Sequence, residues 1–224
     1  MSRLITFGCS NTFGEGLPDA ERNASNPSLA IPEPSKYSWP VFLGNKIGTD
    51  VVNLGIPGGS NKQIWKLILN QEFKKTDIVV ILWTSFYRTC FFSTSDTTYR
   101  ILPSWADKKH KRPKDEYNFN RNYYNNFFFE ENLNLESFLC IDHVKKYLDE
   151  KNIENYHFTF FRNSKRSPLP INNIKQPIWF TTKLQPLEFI DDLASDNDHP
   201  SVLAHQDFAN KIYKVIGSNL PTSM

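Results

Sequence analysis

The sequence predicts an α/β fold: a mostly parallel sheet with helices on both faces. Three observations carry that expectation. Apolar strand-like runs alternate with segments of helical spacing along most of the chain, the pattern that builds parallel sheets. The run Asp77–Trp83 (DIVVILW) is continuously apolar after its first residue, as a central strand covered on both faces must be. The chain has 224 residues, 39% of them hydrophobic, enough for one large domain with a real core.

The elements follow in order. Leu4–Phe7 is a short buried strand ending at Gly8. Pro18–Lys36, rich in Pro, Ser, Asn and Ala, is a long loop. Trp39, Phe42, Leu43 and Ile47 fall on one helical face, with Ser38 as N-cap, Pro40 in the first turn and Gly48 as the stop. Val51–Leu54 is a second strand and Gly55–Gly59 a glycine-rich turn. Ser60 caps a helix running to about Phe73, with Ile64, Leu67 and Ile68 at helical spacing.

After the strand Asp77–Trp83 the pattern breaks. Phe86–Asn134 holds a basic run (Lys108–Lys114) and then asparagines mixed with aromatics (Tyr117–Phe129), and reads as an insertion capping the sheet's edge. Glu136–Lys151 returns to helix, with Ile141, Val144 and Leu148 on one stripe, and Tyr156–Phe161 is the next strand. Asn163–Pro186 is irregular, Leu187–Leu193 is read as a short helix, and Ser201–Ile216 as a closing helix with Phe208, Ile212, Val215 and Ile216 inward. The expectation is one domain, 1–224, with insertions at about 86–135 and 163–186.

Composition narrows the function. A formal net charge of +2 disfavours a nucleic-acid coat or a polybasic membrane anchor. The cysteines, Cys9, Cys90 and Cys140, are odd in number and far apart, which predicts free thiols in a reducing compartment. No secretory signal precedes the first strand, and no apolar run approaches the ~20 residues of a membrane span. A cytoplasmic protein is expected.

Sites in open α/β sheets form beyond the carboxyl ends of the strands. Three segments fall there or near the C-terminus. Ser10 directly follows the first strand among small residues, where it is either a mere helix cap or a nucleophile. In Asp196-Asn197-Asp198-His199, a carboxylate three residues before a histidine can turn back onto the ring. A serine hydroxyl needs such a base, and the base such an orienter. In Asn53–Asn61, glycines let a backbone amide approach a substrate oxygen, or simply supply a turn. Asp191, Asp192, Asp196 and Asp198 also make an acidic patch, but they lack the glycine-bearing loop of a calcium site, and no metal is expected.

Together these blocks resemble the SGNH/GDSL hydrolase family. Gly8-Cys9-Ser10 is similar to its first block, with Cys9 where Asp is usual. Asn53–Ser60 is similar to the block carrying the oxyanion glycine, here Gly58, and Asp196-x-x-His199 to the last block. The resemblance implies a flavodoxin-like three-layer α/β/α sandwich and a serine esterase. Its catalytic residues would be Ser10, Asp196 and His199, and its oxyanion hole Ser10, Gly58 and Thr84. Asn11 and Arg88 are the substrate-binding candidates. Thr84 stands where the family has an asparagine. The implied substrate is a small-molecule or carbohydrate ester, with an O-acetyl sugar as one form. No cofactor, metal, nucleic acid or membrane is called for. The alternative is a weakened module of the same fold that binds a glycan or a protein. The wording FGCSNTFGEG, NLGIPGGSN and Trp-Thr-Ser also resembles hydrolase-like proteins of bacteriophages, which would place the chain in a host cytoplasm or a virion, there as a structural component.

Overall fold

The computed structural model describes residues 2–20, 33–93, 98–107, 114–161 and 176–217. In chain order they form β1 (Arg3–Gly8), α1 (Ser10–Phe13), α2 (Trp39–Ile47), β2 (Asp50–Gly55), α3 (Asn61–Leu69) and β3 (Ile78–Trp83). There follow β4 (Thr89–Phe92), β5 (Thr98–Ile101), α4 (Pro103–Asp107), α5 (Lys114–Asn126), α6 (Glu130–Glu150), β6 (Glu154–Phe161), β7 (Gln185–Glu188) and α7 (Val202–Ile216). Much of the 163–186 insertion, the centre of the Pro18–Lys36 loop and most of the Lys108–Lys114 run lie outside the described residues.

The main sheet has the order β2-β1-β3-β6-β7, with every neighbouring pair parallel. Side chains alternate across it. Ile5, Phe7, Val79, Ile81 and Trp83 pack with Ile64 and Ile68 of α3 and with Phe138, Ile141, Val144 and Leu148 of α6. Leu4, Val80, Leu82 and Phe158 pack on the other face with Trp39 and Leu43 of α2 and with Phe208, Ala209 and Ile212 of α7. This is the expected three-layer α/β/α sandwich. The order of strands reverses at β1, so the crevice at its carboxyl end is the switch point where such folds place ligands.

Three strand–helix boundaries matter for the site. Gly8 and Gly55 are direct partners at the ends of β1 and β2. A Cβ on Gly55 would lie 2.3 Å from the Phe13 nitrogen, and one on Gly8 2.0 Å from the Thr12 hydroxyl. The pair is therefore a side-chain-free seat on which α1 lies. Asn53 locks it there: its Nδ2 donates to the Thr12 carbonyl (2.7 Å), and its Oδ1 accepts from the Gly55 amide (3.0 Å). At the far end of the sheet, Arg3 donates through Nε and Nη2 to both oxygens of the buried Asp77 (3.0 and 2.6 Å) and fastens β1 to the entrance of β3.

Several expectations need correction. Leu187–Leu193 is not a helix: Gln185–Glu188 is an edge strand paired to β6, and backbone pairing overrides local preference. Pro186 is tolerated because the strand lies at the sheet's edge. The helix from Ser60 stops at Leu69, although Phe73 still packs on the core. The helix predicted from Glu136 begins at Glu130, with Glu130 and Glu131 in its first turn, where acidic side chains favour a helix start. The described part of the 86–135 region is built of regular elements. It is a β4–β5 hairpin with α4 and α5, tied to the ends of α3 and α6: Glu136 accepts from Thr89 (2.6 Å) and from Lys62 (3.0 Å).

The seat makes a prediction. Gly55→Ala forces backbone against backbone and should cost about 2 kcal/mol, as overpacking does. Calorimetry should then show a melting temperature about 4–8 °C lower; an unchanged melt would contradict the close approach of α1.

Candidate active site

Ser10 is the first residue of α1, and Cys9 takes the N-cap position without a side-chain cap bond. Ser10 is therefore not the helix cap. It lies in a buried turn (6% exposed) at the carboxyl end of β1. Cys9 and Cys90 are fully buried and Cys140 nearly so, and all are free thiols. Burial pushes the Cys140 thiol up to about 12 and raises that of Cys90, so neither is a ready nucleophile.

The loop before α7 supplies the second group. It is closed at its base by a Leu193–Pro200 bridge and by the Ser201 amide donating to the Asp192 carbonyl (2.9 Å). Ser201 then caps α7 by accepting from the Ala204 amide (3.2 Å). Within the loop, Asn197 takes a left-handed conformation (φ 54°). That turn lets Asp196 fold back: its Oδ1 accepts from the amides of Asp198 and His199 (both 3.0 Å), and its Oδ2 lies 2.6 Å from His199 Nδ1. Burial alone would raise the Asp196 carboxyl. The bonds from the His199 ring and from the two amides hold it instead well below the usual carboxylate range.

The two ends of the chain meet here. A Cβ on Gly16 (φ 88°) would lie 2.6 Å from Asp196 Oδ2. Glu15, next to it, places Oε2 3.8 Å from His199 Nε2. Among the described residues no hydrogen bond joins the Ser10 hydroxyl to the His199 ring. Unliganded sites often show such bonds long or misaligned, and tighten them around substrate.

The third strand exit supplies Thr84. Its amide donates to Asn61 Oδ1 (2.8 Å), and its carbonyl accepts from Asn61 Nδ2 (3.2 Å). Its hydroxyl is buried and has no hydrogen-bond partner among the described residues. Gly58 sits in the β2–α3 turn with φ 68°, against Trp105 and Leu102. Arg100 donates to the Pro57 carbonyl (2.8 Å), so the insertion buttresses this turn. Arg88 follows β3, half-buried, with one Nη1 enclosed and unpaired. Asn11 is buried beside Ser10 in α1.

Three other histidines make structural contacts. His205 is buried, accepts from the Trp39 amide (3.0 Å) and packs on Phe189. His157 accepts from Trp83 Nε1 (3.0 Å), and burial pushes its ring down to about 3, so it stays neutral. His143 accepts from Trp65 Nε1 (2.7 Å), and His110 lies outside the described residues. Sequence reasoning did not single out Glu15, Gly16, Asn61 or Trp105. The glycines flanking Glu15 were the available signal, since both Gly14 and Gly16 adopt positive φ.

Neither a protein-family model nor a curated protein matches the chain by sequence. Solved structures do match by fold. An acetyl xylan esterase from the rumen bacterium Butyrivibrio proteoclasticus is 13% identical, with a TM-score of 0.54, over 97% of this chain and 64% of that one. A carbohydrate esterase with divergent catalytic and non-catalytic binding functions in its active site is 13% identical, with a TM-score of 0.56, over 97% and 65%. A carbohydrate esterase family 2 enzyme with a carbohydrate-binding domain, from Corynascus thermopiles (Myceliophthora fergusii), gives 13% and 0.54 over 97% and 66%. This chain thus spans slightly under two thirds of those proteins. The likeness shows the architecture: a three-layer α/β/α sandwich shared with these esterases at low identity. Among the described residues no helix is long and apolar enough to cross a membrane.

The Asp196 shift has a stability consequence. A carboxylate held low in the folded state stabilises it fully above its ordinary value near ~3.9, and that contribution fades as the pH falls toward the folded value. Asp196→Asn should lower the melting temperature by about 2–4 °C at pH 7, the shift of a ~1 kcal/mol loss in a chain this size. The gap to the unsubstituted protein should narrow progressively as the pH falls below about 4 toward the folded value. A gap as large at pH 2 as at pH 7 would contradict the ionised Asp196 carboxylate.

Proposed function

We propose that the protein is a serine esterase in which Ser10 attacks the carbonyl of a carboxylic ester. His199 takes the hydroxyl proton and returns it to the departing alcohol, while Asp196 fixes the ring tautomer with Nδ1 protonated. The amides of Ser10 and Gly58 face the developing oxyanion. Thr84 adds its buried hydroxyl, a donor left without an acceptor, which is costly until an oxygen arrives. Water then attacks the acyl-serine, with His199 again as base, and frees the acid. Asn11 and Arg88 line the approach, Arg88 with an unpaired Nη1 for a substrate oxygen. No metal or organic cofactor enters these steps.

The observation that carries this reading is the 2.6 Å Asp196–His199 bond, set by its own loop beside the turn that holds Ser10. The fold likeness to an acetyl xylan esterase and to carbohydrate esterases supports a carbohydrate ester as substrate, and an O-acetyl sugar is the proposed natural ester. The absent third-block asparagine favours a second reading, a glycan-binding module with little turnover. Bacteriophage origin, as an enzyme or a virion component, belongs with the sequence resemblance stated above.

Ester hydrolysis separates the readings. The protein should hydrolyse p-nitrophenyl acetate, and Ser10→Ala should reduce the rate to background. Activity that survives the substitution would overturn the scheme, and a folded protein with no activity would favour the binding module.

A further inference from the structure

The segment Gly14-Glu15-Gly16 is built with unusual constraint. Both glycines have positive φ (86° and 88°), a conformation that disfavours any other residue. The Glu15 amide donates to the Ser10 carbonyl (3.1 Å), so the segment is fastened to the serine turn itself. Gly16 clears the Asp196 carboxylate, where a Cβ would be 2.6 Å away. The result is that Glu15, its side chain 10% exposed, sets Oε2 3.8 Å from His199 Nε2. Asp196 meets the opposite nitrogen, Nδ1, at 2.6 Å. The imidazole thus lies between two carboxylates, one from each end of the chain.

We infer that Glu15 is a positioning residue for His199: it holds the Nε2 edge of the ring toward the serine turn and stabilises the imidazolium formed when Ser10 gives up its proton. The inference rests on the esterase reading above. Its physical basis is Coulombic. A positive charge that develops only in the transition state gains from a second, enclosed carboxylate about 4 Å away, and such attraction is strong where water is partly excluded. Because the neutral ring of the ground state gains much less, the effect should fall on kcat rather than on KM. Glu15 itself exchanges no proton with substrate and forms no bond to it.

Glu15→Gln keeps the side chain's length and removes its charge. With p-nitrophenyl acetate, its kcat should fall about tenfold, with KM within about twofold of the unsubstituted protein. Glu15→Asp, which keeps the charge on a shorter arm, should recover part of the loss, a recovery that simple packing would not give. An E15Q kcat within about twofold of the original, or a loss confined to KM, would overturn the role of Glu15 while leaving the esterase reading intact. If E15Q does not fold, E15D decides alone: a kcat more than about tenfold down would overturn the proposal. If the unsubstituted protein shows no Ser10-dependent hydrolysis, the esterase reading fails, and this inference fails with it.

Discussion

The site depends on one close approach: α1 lies directly on the paired glycines that end β1 and β2. Gly8 and Gly55 offer no side chain, so the Thr12 and Phe13 backbone sits where Cβ atoms would otherwise stand. That contact fixes the depth and direction of the Ser10 turn. It also sends the chain through Gly14 and Gly16, so that Glu15 and Gly16 arrive beside a loop almost two hundred residues further along. The sandwich supplies the rest by topology. With β1 at the reversal of strand order, α1, the β2–α3 turn and the end of β3 all open at the same end of the sheet.

Charge at the site is organised around His199. Asp196 is kept ionised by the ring and two amides, which outweigh the cost of its partial burial. Its geometry follows from the Asn197 turn and from the Leu193–Pro200 bridge, both local to the loop. The loop is anchored in turn by Ser201, which serves both as the cap of α7 and as the partner of Asp192. The aromatic-rich insertion has a structural part in this. Asn120 accepts from the Leu102 amide (2.8 Å) and donates to the Glu116 carbonyl (2.9 Å), so one of its asparagines is spent holding α5 to the chain before α4. Trp105 of α4 then stands against Gly58 and walls the β2–α3 turn.

The layers were legible because their signals are local. Trp39–Ile47 is a helix over the residues its periodicity and caps indicate, with Gly48 in the left-handed conformation. The DIVVILW run is the central strand, Ser60 caps where expected, and the closing helix lies where its periodicity indicates. What was not legible depends on partners distant in sequence. The residues of β7 carry a proline and no alternation, and become a strand only because β6 offers an open edge. The whole of α5 is rich in Asn and aromatics, weak helix formers, and holds by tertiary contacts such as the buried Tyr117. At the site, the Asp196–His199 pair was readable because the two lie only three positions apart. Glu15 was not, since its partner lies at the other end of the chain.

Reaction with a fluorophosphonate, followed by intact mass and peptide mapping, tests the central claim most directly, because only an activated serine is phosphonylated readily. The account predicts one adduct per chain, located on Ser10, and its loss when His199 is replaced by alanine. A folded protein that takes no adduct, or one that takes it on another residue, would contradict the account.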